Sequence, residues 1–264
     1  MKCSFAKEID SSLPKLFILA VGISDYANDD LDLTYADQDA KDFVAAWKRQ
    51  LGRQYSEVEA KVVTNQEATV DGIEDGFYWL TDQEITEKDF VFVFLAGHAM
   101  FDDKDIWVFG SSDLKLGRRM KQTGITDSRV KQLLEQELHE AGTVILFLDT
   151  CHAGGVKGKT RGVNVRKHHS GGKNIWGDSQ RHVLASCTQN ELSMESSVWE
   201  NGAFTEGLLE AMENGDTNDN GFISISELKL RSQQIVSELT KHKQTPTASG
   251  QKLNGVDPDL IKVR

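Results

Sequence analysis

Cysteine, proline, long apolar runs and positive charge are all scarce in this sequence, and each shortage closes off a class of protein. Three cysteines in 264 residues, Cys3, Cys151 and Cys187, cannot build a disulfide framework and point to a reducing compartment. Three prolines, with no Pro-rich or Gly/Ser linker, leave nothing to separate domains, so one domain is expected over residues 1–264. The apolar segment LFILAVGI, residues 16–23, follows Lys7, Glu8, Asp10 and Lys15. It is too short to span a membrane and wrongly flanked for a secretion signal, which makes the cytoplasm the expected location. Thirty Lys and Arg against 41 Asp and Glu give a net charge of -11, which argues against nucleic acid or an anionic membrane as partner and suits a basic substrate.

What remains is an ordinary soluble globule, 39% hydrophobic and 27% charged. Apolar runs at 16–23, 89–96 and 144–148 read as strands buried on both faces, with a less buried strand at 58–63 and a fifth at 182–186. Between them, Phe43, Val44, Trp47 and Leu51 recur at helical spacing, and Thr69 suits the N-cap of a helix over 70–81. That helix contains Gly72 and Gly76, each costing about 1 kcal/mol against alanine. Residues 101–115 suit a short hairpin, Asp127 a cap for a helix carrying Val130, Leu133, Leu134 and Leu138, and 203–212 a further helix. Strands alternating with helices predict a mostly parallel sheet covered on both faces.

Two strands end in chemistry. One delivers Gly97-His98-Ala99, the other Asp149-Thr150-Cys151-His152 before two glycines. Either residue alone is more often inert. Together, at the carboxyl ends of buried strands where α/β sheets place their sites, they are the minimum kit for nucleophilic catalysis: an imidazole lowers the thiol pKa and the thiolate attacks a carbonyl. His152 is a poor partner for Cys151, because neighbours in extended chain point opposite ways. Downstream, residues 156–179 carry Lys157, Lys159, Arg161, Arg166, Lys167 and Lys173 among five glycines without apolar periodicity. Such a stretch is a candidate for nicking, with Arg161 and Lys167 the favoured sites, or a basic flap over an acidic entrance. Residues 216–227, DTNDNGFISISE, fit the calcium-loop template: Asp216, Asn218, Asn220, Phe222 through its carbonyl, and Glu227, with Gly221 at the turn. The alternative is a turn at Gly221 and a helix cap at Ser224 or Ser226. Only two carboxylates would meet the ion, so binding should be modest.

The blocks LFILAVGISDY, LTYADQDA, FVFLAGHA, LFLDTCHAGG, SCTQNELSME and GAFT run in order from Leu16 to Leu228. In this the chain resembles the caspase-like cysteine peptidases, and more closely their metacaspase and prokaryotic (orthocaspase) branch. The resemblance implies a caspase-like α/β fold, a mostly parallel central sheet flanked by helices on both faces. It implies a larger part to about residue 156, a basic linker over about 156–179, and a smaller part over 180–264. It implies His98 and Cys151 as the dyad, and the N–H groups of Cys151 and Ala99 as the oxyanion hole. Ala99 stands where the family has glycine. Asp39 and Asp149 match the acidic residues of the S1 pocket, with Ser186 placed beside them as substrate-binding. Asp37 is a rival for Asp39. Carboxylates there favour Arg or Lys at P1 and repel aspartate. The reaction implied is cleavage of protein after Arg or Lys, with no cofactor needed for the chemistry and calcium as an optional ion. The other reading is a catalytically weak caspase-like scaffold that binds a regulatory partner and responds to calcium.

Overall fold

The computed structural model describes residues 9–104, 106–152, 181–188, 191–249 and 257–263; of residues 136, 137, 151 and 152 only the backbone is described. The alternation seen in the sequence becomes a ladder. The strands β1 (Lys15–Gly22), β2 (Glu57–Thr64), β3 (Phe90–Phe101), β6 (Thr143–His152) and β7 (His182–Ala185) run parallel. With β11 (Thr247–Ser249) antiparallel at the β7 edge, the order is β11-β7-β6-β3-β1-β2. The chain turns outward from β1 on both sides, to β2 and to β3, which creates the crevice where such sheets bind ligands.

Alternate residues of the central strands feed two cores. Phe17, Leu19 and Val21 pack with Ile73, Phe77 and Leu80 of α2 (Val70–Thr81) and Val130 of α3 (Asp127–Gln132). Leu16, Ile18 and Ala20 pack with Phe43 and Trp47 of α1 (Ala36–Lys48), Phe204 and Leu208 of α4 (Ala203–Asn214), and Leu228 and Ile235 of α5 (Ile225–Leu239). This period-2 split is why the strands read as unbroken apolar runs. The second core is largely aromatic: Phe43 stacks on Phe94 at 4.5 Å and meets Phe147 edge-on at 5.0 Å.

Several local expectations shift. Thr69 caps α2 by accepting the Gly72 N–H, and the glycines behind it are there for packing: a Cβ on Gly76 would lie 2.6 Å from Leu19 Cδ1. Thr126, one residue before Asp127, caps α3, its hydroxyl accepting the Arg129 N–H. The third strand does not stop at Ala96. It runs on to Phe101 and pairs antiparallel with β4 (Trp107–Gly110), which pairs with β5 (Gly124–Thr126). The sixth likewise keeps pairing through Cys151 and His152, so His98 and Cys151 lie within the ladder. Two small ribbons complete the described strands: β8 (Glu195–Ser196) with β9 (Asn201–Gly202), and β10 (Phe222–Ser224) with β12 (Asp259–Lys262). Among the described residues no helix is long and apolar enough to cross a membrane.

Candidate active site

His98 and Cys151 are register partners across β3 and β6, which places their backbones side by side. Gly97, just before His98, takes φ 148°, and a Cβ on it would come within 2.8 Å of the Tyr26 hydroxyl. That hydroxyl accepts the His98 backbone N–H at 2.9 Å, and the two rings lie 5.2 Å apart. On the ring itself, Nε2 is 2.7 Å from the Leu31 carbonyl oxygen. A carbonyl only accepts, so Nε2 carries the proton and Nδ1 is left with its lone pair. Nδ1 is buried and has no hydrogen-bond partner among the described residues. Burial pushes the His98 pKa down, opposed in part by the Leu31 carbonyl and the charge of Glu195. The imidazole is therefore neutral near pH 7 and able to take a proton.

Ala99 pairs with His152 on one side and Phe109 on the other. It is not among the residues with positive φ. The backbone at this point does not need glycine; the positive φ next to His98 belongs to Gly97.

Two residues before Cys151, Asp149 is buried, and its charge acts on a second buried carboxylate, Asp39. Asp149 Oδ1 accepts the Ser193 hydroxyl at 2.8 Å, and Oδ2 accepts the Thr205 hydroxyl at 2.7 Å and its N–H at 3.2 Å. Asp39 Oδ1 accepts the Gly202 N–H at 2.9 Å. Asn201, with its amide turned to suit its neighbours, donates to the same oxygen at 2.9 Å and to Asp42 Oδ2 at 3.1 Å. A Cβ on Gly202 would sit 2.6 Å from Asp149 Oδ2 and 3.1 Å from Asp39 Oδ2, so glycine here lets the backbone pack against both carboxyls at once. Burial, then repulsion from Asp149, pushes Asp39 up to about 9. Burial also raises Asp149, against its hydrogen bonds from Thr205 and Ser193. The charge of Glu195 raises both. Burial and mutual repulsion thus work against both carboxyls being ionised together.

The rival Asp37 has its carboxylate paired with Lys41 at 2.7 Å along the same helix. Ser186 is buried, but its hydroxyl donates to the Thr150 carbonyl at 3.1 Å, so what it touches is the backbone just before Cys151. Arg161 and Lys167 lie outside the described residues.

Several contributors escaped the sequence reading. Glu195 accepts the N–H groups of Thr34 and Tyr35 at the start of α1 and so ties the Asp39 helix to β8. Gln244 donates to the Ser186 carbonyl at 2.9 Å and accepts the Met194 N–H at 2.8 Å, holding the segment that carries Ser193. Tyr26, Ser193, Glu195 and Thr205 all fall inside the blocks quoted above, so a signal existed. Leu31 acts through its carbonyl and has no side-chain signature.

The calcium-like loop is closed by its own hydrogen bonds. Asp216 accepts the N–H groups of Asn220 and Gly221, and Asn218 Oδ1 accepts that of Asn220. Glu227 Oε1 takes donors from Thr217 and Asn218, and Oε2 takes the N–H and hydroxyl of Ser224 in a capping box at the start of α5. This is the turn-and-cap arrangement. The donor set presents Glu227 already saturated, and among the described residues no group of three or more His, Cys, Asp or Glu is placed to hold a metal ion.

The family profile described as Caspase domain matches residues 15–255. The chain belongs to that family of cysteine peptidases. No curated protein matches the chain. Among solved structures, a Geobacter sulfurreducens protein is 19% identical with a TM-score of 0.65, covering 95% of this chain and 100% of its own. Caspase-1 from Spodoptera frugiperda is 13% identical with a TM-score of 0.59, covering 92% of this chain and 88% of its own. At these identities the likeness is one of fold, and it establishes the caspase-like architecture.

Proposed function

We propose that this caspase-domain protein is an endopeptidase of the metacaspase-like kind that cleaves after Arg or Lys. The observation that carries the specificity is the buried pair Asp39 and Asp149, both packed against Gly202 and both raised by the charge of Glu195. A guanidinium or ammonium brought up to this pair restores ionisation of both carboxyls and pairs with them, whereas a P1 aspartate would add a further like charge.

In this reading the Cys151 thiol gives its proton to His98 Nδ1, and the Nε2–H stays on the Leu31 carbonyl. The thiolate attacks the carbonyl carbon after P1, and the oxyanion is met by the N–H groups of Ala99 and Cys151. His98 then gives its proton to the leaving amine. Water, deprotonated by the same nitrogen, hydrolyses the thioester and restores the thiol. Cleavage within 156–179, at Arg161 or Lys167, would use the same specificity on the chain itself.

The test is a panel of fluorogenic peptides with Arg, Lys, Gln or Asp at P1, run beside Cys151→Ala. Hydrolysis of the Arg and Lys members alone, lost in the variant, is expected. Cleavage after Asp would refute the pocket assignment. Calcium is the subsidiary proposal: residues 216–227 take the ion only weakly, toward the millimolar end of such loops, because Glu227 must first release its internal donors. Titration calorimetry should give weak heat that disappears in Glu227→Gln. Heat unchanged in that variant would place any calcium elsewhere.

A further inference from the structure

We propose that Tyr26 is the positioning residue for His98, and that the loop after β1 is a clamp that fixes the histidine at both ends; this rests on reading His98 as the acid-base of a peptidase. The loop is a short closed unit. Leu33 N–H donates to the Ser24 carbonyl at 2.9 Å, Leu31 N–H to the Asn28 carbonyl at 2.8 Å, and Tyr26 N–H to Asp32 Oδ1 at 2.9 Å. It is anchored outside itself by Ser24 N–H on Asn65 Oδ1 at 2.8 Å and by Ala27 N–H on the Ser112 carbonyl at 2.8 Å. From this unit two acceptors reach His98: the Tyr26 hydroxyl takes its backbone N–H and the Leu31 carbonyl takes its ring Nε2–H.

The consequence is geometric. Movement of the loop that lengthens one bond turns the imidazole about the other, and Nδ1, the nitrogen that must meet the thiol, swings with it. A misplacement on the order of 1 Å at such a centre lowers the rate by roughly a hundredfold. Gly97 belongs to the device, since a side chain there would occupy the place of the Tyr26 hydroxyl. The aromatic ring alone would serve a purely structural role equally well as phenylalanine. The hydroxyl is what the histidine uses.

Asp32 offers a second handle, because it is exposed, touches neither His98 nor the acidic pocket in any recorded bond, and holds Tyr26 by a single carboxylate oxygen. The experiment measures kcat and KM on an Arg peptide, melting temperature, and the rate at which iodoacetamide alkylates Cys151, read by peptide mass spectrometry to separate it from Cys3 and Cys187. For Tyr26→Phe we expect kcat to fall roughly 10- to 100-fold with KM within about twofold, and alkylation to slow several-fold in the direction of His98→Ala. Asp32→Ala should show a smaller fall of the same kind, and Asp32→Asn, which keeps the accepting oxygen, should recover it. A Tyr26→Phe kcat within about twofold of wild type overturns the proposal. If that variant is unfolded, Asp32→Ala with unchanged kcat and alkylation overturns it instead. Should the wild type cleave no Arg or Lys peptide, slowed alkylation in both variants would uphold the clamp while the peptidase reading falls. Peptide cleavage with indifferent variants would uphold the peptidase and remove the clamp.

Discussion

Cys151→Ala and His98→Ala are each expected to lower hydrolysis of an Arg peptide by about three orders of magnitude or more, and the double variant to be little worse than either single one. The two groups act as a unit, so removal of one leaves the other without a task. The His98 change is expected to hurt as much as loss of the thiol because Nδ1 has no alternative partner to share its role with among the described residues, and His152 is opposite Ala99 in the register, not beside His98. Cys187→Ala is the control. Its sulfur lies toward the carbonyls of Thr150 at 3.8 Å and Glu191 at 3.5 Å and is buried, so the change should leave activity within a few-fold. Active-site titration sets the enzyme concentration, and full activity in Cys151→Ala would dispose of the dyad.

Asp39→Asn should raise the melting temperature at pH 7 to 8 while removing most cleavage after Arg. The sign follows from proton linkage. Asp39 has a folded pKa near 9 against 3.8 as its ordinary value, so the folded state holds the proton more tightly and stability declines as pH rises between those values. Asparagine keeps the oxygen that accepts from Gly202 and Asn201 and carries no charge to desolvate. The gain is on the order of 2 kcal/mol, roughly 4–8 °C for a domain of this size, at neutral to alkaline pH, and it should vanish near pH 4. Over the same substitution kcat/KM for an Arg peptide should drop by roughly 10²-fold, with a far smaller loss for a P1 Gln peptide, because the guanidinium loses a charged partner in a dry pocket. Melting curves at pH 4 and pH 8, set beside the two peptides, check both halves. A variant less stable than wild type at pH 8, or one that loses both peptides equally, would show that Asp39 serves the fold and not recognition.

Much of this was legible in the residues because the sheet is regular. Buried parallel strands announce themselves as apolar runs, and His98 and Cys151 stand out by where those runs meet polar residues. The strand ends were harder to read. Gly97 looks like a terminator in sequence, yet at φ 148° it lets β3 continue past His98 to the hairpin with β4. Gly72 and Gly76 weaken the helix signal of α2 in sequence, yet the backbone of Glu67 and the side chain of Leu19 leave no room there for a Cβ. The Asp39 and Asp149 pair could be named from family motifs, but its closeness to Gly202 depends on a contact between segments 163 residues apart, Asp39 with Gly202. The Glu227 carboxylate was ambiguous in sequence since a calcium ligand and a capping-box residue share one spacing; only the Ser224 partner distinguishes them.

The acidic pocket has one more property, which concerns how the chain could be divided. Asp39 and Asp149 lie on the amino-terminal side of residues 153–180, whereas their donors Ser193, Gly202 and Thr205, and the Glu195 that braces α1, all lie on the other side. Neither half of the polypeptide contains both the carboxyls and their donors. The β6–β7 ladder, the core that α1 shares with α4 and α5, and bonds such as Tyr55 Oη–H to the Leu260 carbonyl bring the two parts together. Two separately expressed halves would therefore be silent on their own and would gain specificity only by reassociating, which makes the protein a natural scaffold for a split reporter whose output is cleavage after a basic residue.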